Sequence, residues 1–172
     1  MTVTIRPEGA DDYAVISEVI CLAFGREAEA NLVENLRQTP NYIPELALVA
    51  EEDDQIVGHI LFTKAALETP NSRELILTLA PLVVHPDHQR QGIGAHLIHH
   101  GLETCRDLGY AAVVVLGHAK YYPRFGFRPA IEKGINAPFQ VPEDAFMVIE
   151  LSLGFLEDLS GVVSFPPEFD GV

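Results

Sequence analysis

Apolar residues recur at helical spacing at Ile16, Val19, Ile20 and Ala23, which predicts a helix over 13–24. Asp11 and Asp12 stand ahead of it, where a helix N-terminus favours negative charge, and Gly25 stops it. A second helix is predicted from Glu27 to Arg37, ended by Pro40, and a short strand over Val3–Ile5 precedes both. The runs 46–51 and 55–63 flank Glu52-Asp53-Asp54, a hairpin signal. Residues 74–84 form a third β-rich stretch, interrupted at Pro81, where a proline marks a bulge or the end of strand pairing. A glycine-rich segment then leads into a helix running to Leu108, with Gly109 after it. Ala111–Leu116 is unbroken apolar sequence, as in a strand covered on both faces. Tyr121–Phe125 predicts a short helix and Ala145–Leu153 a last strand, while Pro166-Pro167 leaves 154–172 irregular. The order β-α-α-β-β-β-α-β-α-β predicts one α/β domain with a mixed sheet, its core over 3–153 and a C-terminal tail over 154–172.

The 172 residues suffice for one buried core, and 25 acidic against 11 basic residues give a net charge of -14. That balance argues against nucleic acid as a partner, since phosphate backbones are held by clustered Lys and Arg. It serves either solubility or the attraction of cationic small molecules. No apolar run approaches the roughly 18 residues of a membrane span, so no membrane partner is expected. Residues 1–7 lack a basic patch followed by an apolar stretch, which points to the cytoplasm. Cys21 and Cys105 have no metal or redox spacing and sit among apolar residues, as buried free thiols do.

The strongest chemical signal runs from Leu82 to Ala95: a strand ends, glycines follow, and a helix begins. Gly92 and Gly94 allow close backbone approach, and the first helical N–H groups lack partners where the dipole is positive. Such a place binds phosphate. The segment is neither a P-loop, since no Gly-Lys-Ser/Thr occurs, nor a dinucleotide fingerprint, since position 97 is Leu. From the glycines alone, a plain connection without a ligand stays open.

Gln89-Arg90-Gln91-Gly92-Ile93-Gly94 resembles the Gln/Arg-x-x-Gly-x-Gly/Ala pyrophosphate loop of GNAT-type N-acetyltransferases, and Val84-His85-Pro86 fits the Val-x-Pro that precedes it. Tyr121-Tyr122-Pro123-Arg124-Phe125-Gly126-Phe127 resembles the later Tyr-x-x-x-Gly-Phe of that family, with Tyr122 and Gly126 in register. The wording, Leu116-Gly117 included, is similar to the bacterial YhbS-like branch. The resemblance covers about residues 3–153 and implies a mixed, mostly antiparallel central sheet with a splayed strand pair and flanking helices.

It further implies acetyl-CoA as cosubstrate and no metal. The pantetheine arm would pair with Leu82, Val83 and Val84, with Ala80-Pro81 turning the amides outward. The pyrophosphate would lie on the amides of Arg90, Gln91, Gly92, Ile93, Gly94 and Ala95, next to Gln89. Arg90 is either an anion contact or a solvated charge. A backbone amide near Val83 would stabilise the thioester oxyanion. Tyr122 occupies the general-acid position, with Tyr121 the weaker candidate and a packed aromatic the plain alternative. His118 stands where many relatives carry Asn, as a cofactor contact or as a loop histidine. The base is open between Glu27, Glu51 and a water chain. His96, His99 and His100 fall on the polar half of the helix wheel, opposite Leu97, Ile98, Leu102, Cys105 and Leu108, which argues against a metal site. His85 and His88 flank the phosphate turn and shape it. The implied activity is acetyl transfer to a primary amine, on a small molecule or a peptide, in a ternary complex. The alternatives are an acyl-CoA-binding sensor without catalysis and an interaction module with an empty cleft. A homodimer is compatible with the tail.

Overall fold

The computed structural model describes residues 2–172. They pack as two compact units: residues 2–63, 80–104 and 167–172 form the first, Lys64–Leu79 and Cys105–Pro166 the second.

In the first unit, β1 (Val3–Pro7), β2 (Tyr42–Glu52) and the first part of β3 (Gln55–Glu68) form an antiparallel ladder. Asp53 and Asp54 both take left-handed φ, 51° and 63°, which gives the tight two-residue turn that matches strand twist. Helix α1 (Tyr13–Phe24) ends at the left-handed Gly25 as the pattern predicts, and α2 (Ala28–Leu36) lies inside the span expected for it. Ile16, Val19 and Ile20 of α1 and Leu32, Val33 and Leu36 of α2 bury their apolar faces with Ala47, Val49 and Leu61 of the strands. Arg6 of β1 donates to Asp12, just ahead of α1, at 2.8 and 3.0 Å and to Glu51 of β2 at 2.9 Å.

A buried polar knot ties β1, α2, β2 and β3 together. The Glu8 carboxylate, fully buried, accepts from Arg37 at 2.9 and 3.1 Å, from Tyr42 at 2.6 Å and from His59 Nε2 at 2.8 Å. A carboxylate can only accept, so the His59 Nε2 carries the proton of that bond. Burial alone would push the Glu8 carboxyl up; the His59 and Arg37 hydrogen bonds outweigh it and hold the group down at about 2. The Arg37 guanidinium also lies 3.8 Å over the Tyr13 ring.

The second unit holds the remainder of β3, most of β4 (Arg73–Val84), β5 (Ala112–Leu116), β6 (Arg128–Pro129), β7 (Ile135–Asn136), β8 (Phe146–Glu150) and β9 (Gly161–Ser164). β4 pairs with β5 in parallel over Leu77–Val113 and Thr78–Val114, and β8 runs antiparallel to β5 and β6. β4 runs on to Val84, and the expected interruption at Pro81 takes the form of a cis Ala80-Pro81 peptide within it. The pairing with β5 does stop ahead of the proline, at Thr78.

The irregular tail is the clearest correction. β9 pairs antiparallel with Ala66–Glu68 of β3 and parallel with β7, and Leu156 is buried in the second core. Pro166-Pro167 follows β9, so it bounds the strand without preventing it. β8 is shorter than expected, because it ends at Glu150. Helix α3 (Ile93–Asp107) stops one residue early, which leaves Leu108 43% exposed instead of in the core half of the wheel. Cys105 is buried as predicted; Cys21 is only half-buried.

Candidate active site

Chemistry collects at two turns that follow parallel strands. In the first unit, β4 ends at Val84. The His85 N–H donates to Val57 O at 2.8 Å, and the Gln89 side-chain amide donates to Val84 O at 3.1 Å, closing the loop on its own strand. Arg90 (φ 64°) and Gly92 (φ 83°) are left-handed, a conformation free for glycine and uncommon for arginine. The α3 ladder begins with His96 N–H donating to Gly92 O at 3.0 Å. The N–H groups of Ile93, Gly94 and Ala95 therefore precede it and have no partner within the helix. Gln89, Arg90, Gln91 and Gly92 are exposed, so this end of α3 faces solvent.

The seat of that helix is a glycine the sequence pattern did not single out. A Cβ on Gly58 would lie 3.0 Å from Leu97, 3.1 Å from Val83 O and 3.2 Å from Ile93. Gly58 thus lets the first turn of α3 settle onto the strands. Ile93 is buried by this packing and offers only its N–H; Val83 buries its side chain likewise, while Leu82 and Val84 are half-buried. Farther along, Phe62 fills the space where Gly101 lacks a side chain.

In the second unit, Gly117 N–H donates to Ala145 O at 2.9 Å, and His118 O accepts from Tyr121 and Tyr122 N–H at 3.1 and 3.4 Å. A short 3-10 turn starts at Tyr122, whose ring is 8% exposed and packs edge-on against Tyr121 and Phe127 at 5.2 and 5.6 Å. A Cβ on Gly117 would overlap the Tyr122 ring. Gly117 thus leaves the room that the Tyr122 ring fills, which sequence periodicity could not reveal; the sign was a lone glycine closing an apolar strand. Burial, with Tyr121 adding to it, pushes the Tyr122 phenol up to about 12. The Tyr122 hydroxyl therefore keeps its proton at neutral pH.

The other predicted residues separate cleanly. The His118 side chain is exposed, and its carbonyl is what shapes the turn. Tyr121 is half-buried under the Arg124 guanidinium at 4.7 Å. Glu51 is bound to Arg6, and Glu27 is an exposed residue at the start of α2. His85 and His88 do pack against each other, at 5.5 Å, and His88 Nδ1 lies 3.8 Å from the buried Glu52. His96, His99 and His100 lie on the exposed face of α3. Three buried carboxylates escaped the pattern: Glu8 in the knot, Glu29 bound by Arg26, and Glu52.

Residues 44–129 match the family model of the Acetyltransferase (GNAT) domain. The chain is 45% identical over 134 residues to the N-acetyltransferase YjhQ of Escherichia coli K12, covering 77% of this chain and 74% of that one. The chain belongs to the GNAT acetyltransferase family. Both turns of this acetyltransferase fall inside the matched segment. It is also 32% identical over 167 residues to the N-acetyltransferase YhbS of the same organism, covering 96% and 98% of the two chains. The structure of Escherichia coli YhbS in complex with CoA superposes with a TM-score of 0.89 at 31% identity, over 97% of this chain and 91% of that one. A GNAT acetyltransferase from Brucella melitensis in complex with acetyl-CoA gives 0.80 at 30% identity, over 98% and 99%. The mixed open sheet with flanking helices is therefore the GNAT fold, and no helix among the described residues is long and apolar enough to cross a membrane.

Proposed function

We propose that this acetyltransferase moves an acetyl group from acetyl-CoA to a primary amine by direct attack in a ternary complex. The observation that carries the reading is the exposed start of α3, where the N–H groups of Ile93, Gly94 and Ala95 precede the helical ladder behind Gly92. These donors fit a pyrophosphate, and in a chain of net charge -14 they supply the local positive field an anionic cosubstrate needs. Gln89, Gln91 and Arg90 flank them. The extended backbone of Leu82, Val83 and Val84 would take the pantetheine arm.

The neutral amine nitrogen attacks the thioester carbonyl, a C–N bond forms, and the C–S bond breaks. The amine proton leaves to a base or to water. The sulfur takes a proton from Tyr122, whose phenol is protonated across the physiological range. The phenol then recovers it from solvent. Glu51 is a poor base here, because its charge is already committed to Arg6.

Two measurements test the reading. Calorimetry should show acetyl-CoA binding, and a panel of primary amines should release free thiol. Binding without thiol release from any amine contradicts catalysis; no binding by folded protein contradicts the whole proposal.

A further inference from the structure

We infer that His85 is a proton-sensitive positioning residue for the turn that leads into α3. Neutral, its ring holds the turn in shape; protonated, it lets go, and acetyl-CoA affinity falls. The effect on affinity rests on the acyl-transfer reading above, and the release of the turn does not.

Three hydrogen bonds meet at His85. Its N–H donates to Val57 O at 2.8 Å, its O accepts from His88 N–H at 2.8 Å, and its ring Nδ1 accepts from Asp87 N–H at 3.1 Å. The first bond ties the end of β4 to β3. The other two close a 3-10 turn over Pro86–His88, with His85 as its N-cap. Pro86 has no N–H to give the cap, so Asp87 supplies the one that the ring takes. This turn delivers the chain to Gln89 and to the left-handed Arg90, where the exposed backbone ahead of α3 begins.

Only the neutral imidazole can make the ring bond. Accepting at Nδ1 places the single ring proton on Nε2. A second proton makes Nδ1 a donor facing another donor, and the bond is lost. Histidine is the side chain whose charge changes near neutrality. The released ring finds a new partner in Asp87 Oδ2, 3.9 Å from Nδ1. The groove beside the ring adds Glu18 of α1 and Asp54 of the hairpin turn, and also Asp12 and Glu51, which hold Arg6 of β1. The new positive charge therefore pairs with carboxylates and does not replace the lost geometry. His88 packs edge-on to His85 at 5.5 Å, with its Nδ1 3.8 Å from Glu52 Oε1. A proton on His88 strengthens that contact and leaves the turn closed.

The test compares wild type, His85→Asn and His88→Asn at pH 7.5 and pH 5.5. Asparagine is a strong N-cap acceptor that does not titrate, so His85→Asn keeps the bond and removes the switch. In calorimetric titrations with acetyl-CoA, wild-type affinity should fall about fivefold more than that of His85→Asn over this interval. His88→Asn should follow the wild type. Comparing proteins at each pH cancels the titration of the cosubstrate's own phosphates, and equal melting temperatures at pH 7.5 show intact folding. The same pH dependence in wild type and His85→Asn overturns the inference. So does a wild type that binds more tightly than His85→Asn at pH 5.5, or a His88→Asn variant that loses the response. In the ligand-free protein, the Asp87 N–H resonance should move between the two pH values in wild type and stay in place in His85→Asn. A wild-type signal that stays in place also overturns the inference. A moving Asp87 signal in a protein that never binds acetyl-CoA would sink the acyl-transfer reading and leave the role of His85 in the turn standing.

Discussion

After β4 the chain enters α3 through exposed, glycine-rich backbone; after β5 it enters a 3-10 turn over a buried ring. Each turn leans on a glycine with no side chain to spare, Gly58 under the first and Gly117 under the second. The first turn offers peptide N–H groups, which any sequence could supply once the left-handed Gly92 bends the chain. The second offers one phenol, which only Tyr122 supplies. Backbone chemistry therefore depends on conformation, and side-chain chemistry on identity and seat. Substitutions should split along that line, with binding lost at the first turn and rate lost at the second.

The largest effect should come from outside both turns and sharpen the split by separating stability from chemistry. Glu8→Gln leaves Arg37 buried without its charged partner and should cost about 3–5 kcal/mol in urea unfolding at pH 7. Because the Glu8 carboxyl is held down at about 2, against an ordinary 4.5, its stabilisation is present above about pH 4.5. It is lost as pH falls toward 2, and the variant should lack that acid slope. Turnover per folded molecule should be unchanged.

Tyr122→Phe should lower kcat by about 10²-fold while acetyl-CoA affinity stays within roughly twofold. Equal loss of both would place the phenol in binding instead. Gly117→Ala should push the ring aside and lower kcat by about tenfold with the same unaltered affinity, since the group remains but its aim is lost. Gly92→Ala must hold a Cβ at a φ of 83°, a strain of about 1 kcal/mol, and should raise KM for acetyl-CoA roughly fivefold with kcat kept.

The parts legible in the sequence were those written locally. Gly25 after an amphipathic run, the Asp53-Asp54 turn and the apolar half of α3 each state their structure within a few residues. The strand–turn–helix after β4 was legible for the same reason, whereas Tyr122 stood out only through the resemblance of its motif to the family's. β9 was not, because Val162 and Val163 are too few to show alternation, and their partners Leu67 and Glu68 lie far back along the chain. The Glu8 knot was hidden likewise, since residues 8, 37, 42 and 59 meet only after the strands pair. Gly58 and Gly117 carry no periodic signal; their reason is the side chain that fills the gap.

The central claim is that the backbone at the start of α3 holds the pyrophosphate of acetyl-CoA, and amide chemical shifts read it residue by residue. On titration with acetyl-CoA, the N–H signals of Gln91 to Ala95 should move most, with their hydrogen exchange slowed. Saturation of the protein with those five amides unmoved would contradict the account.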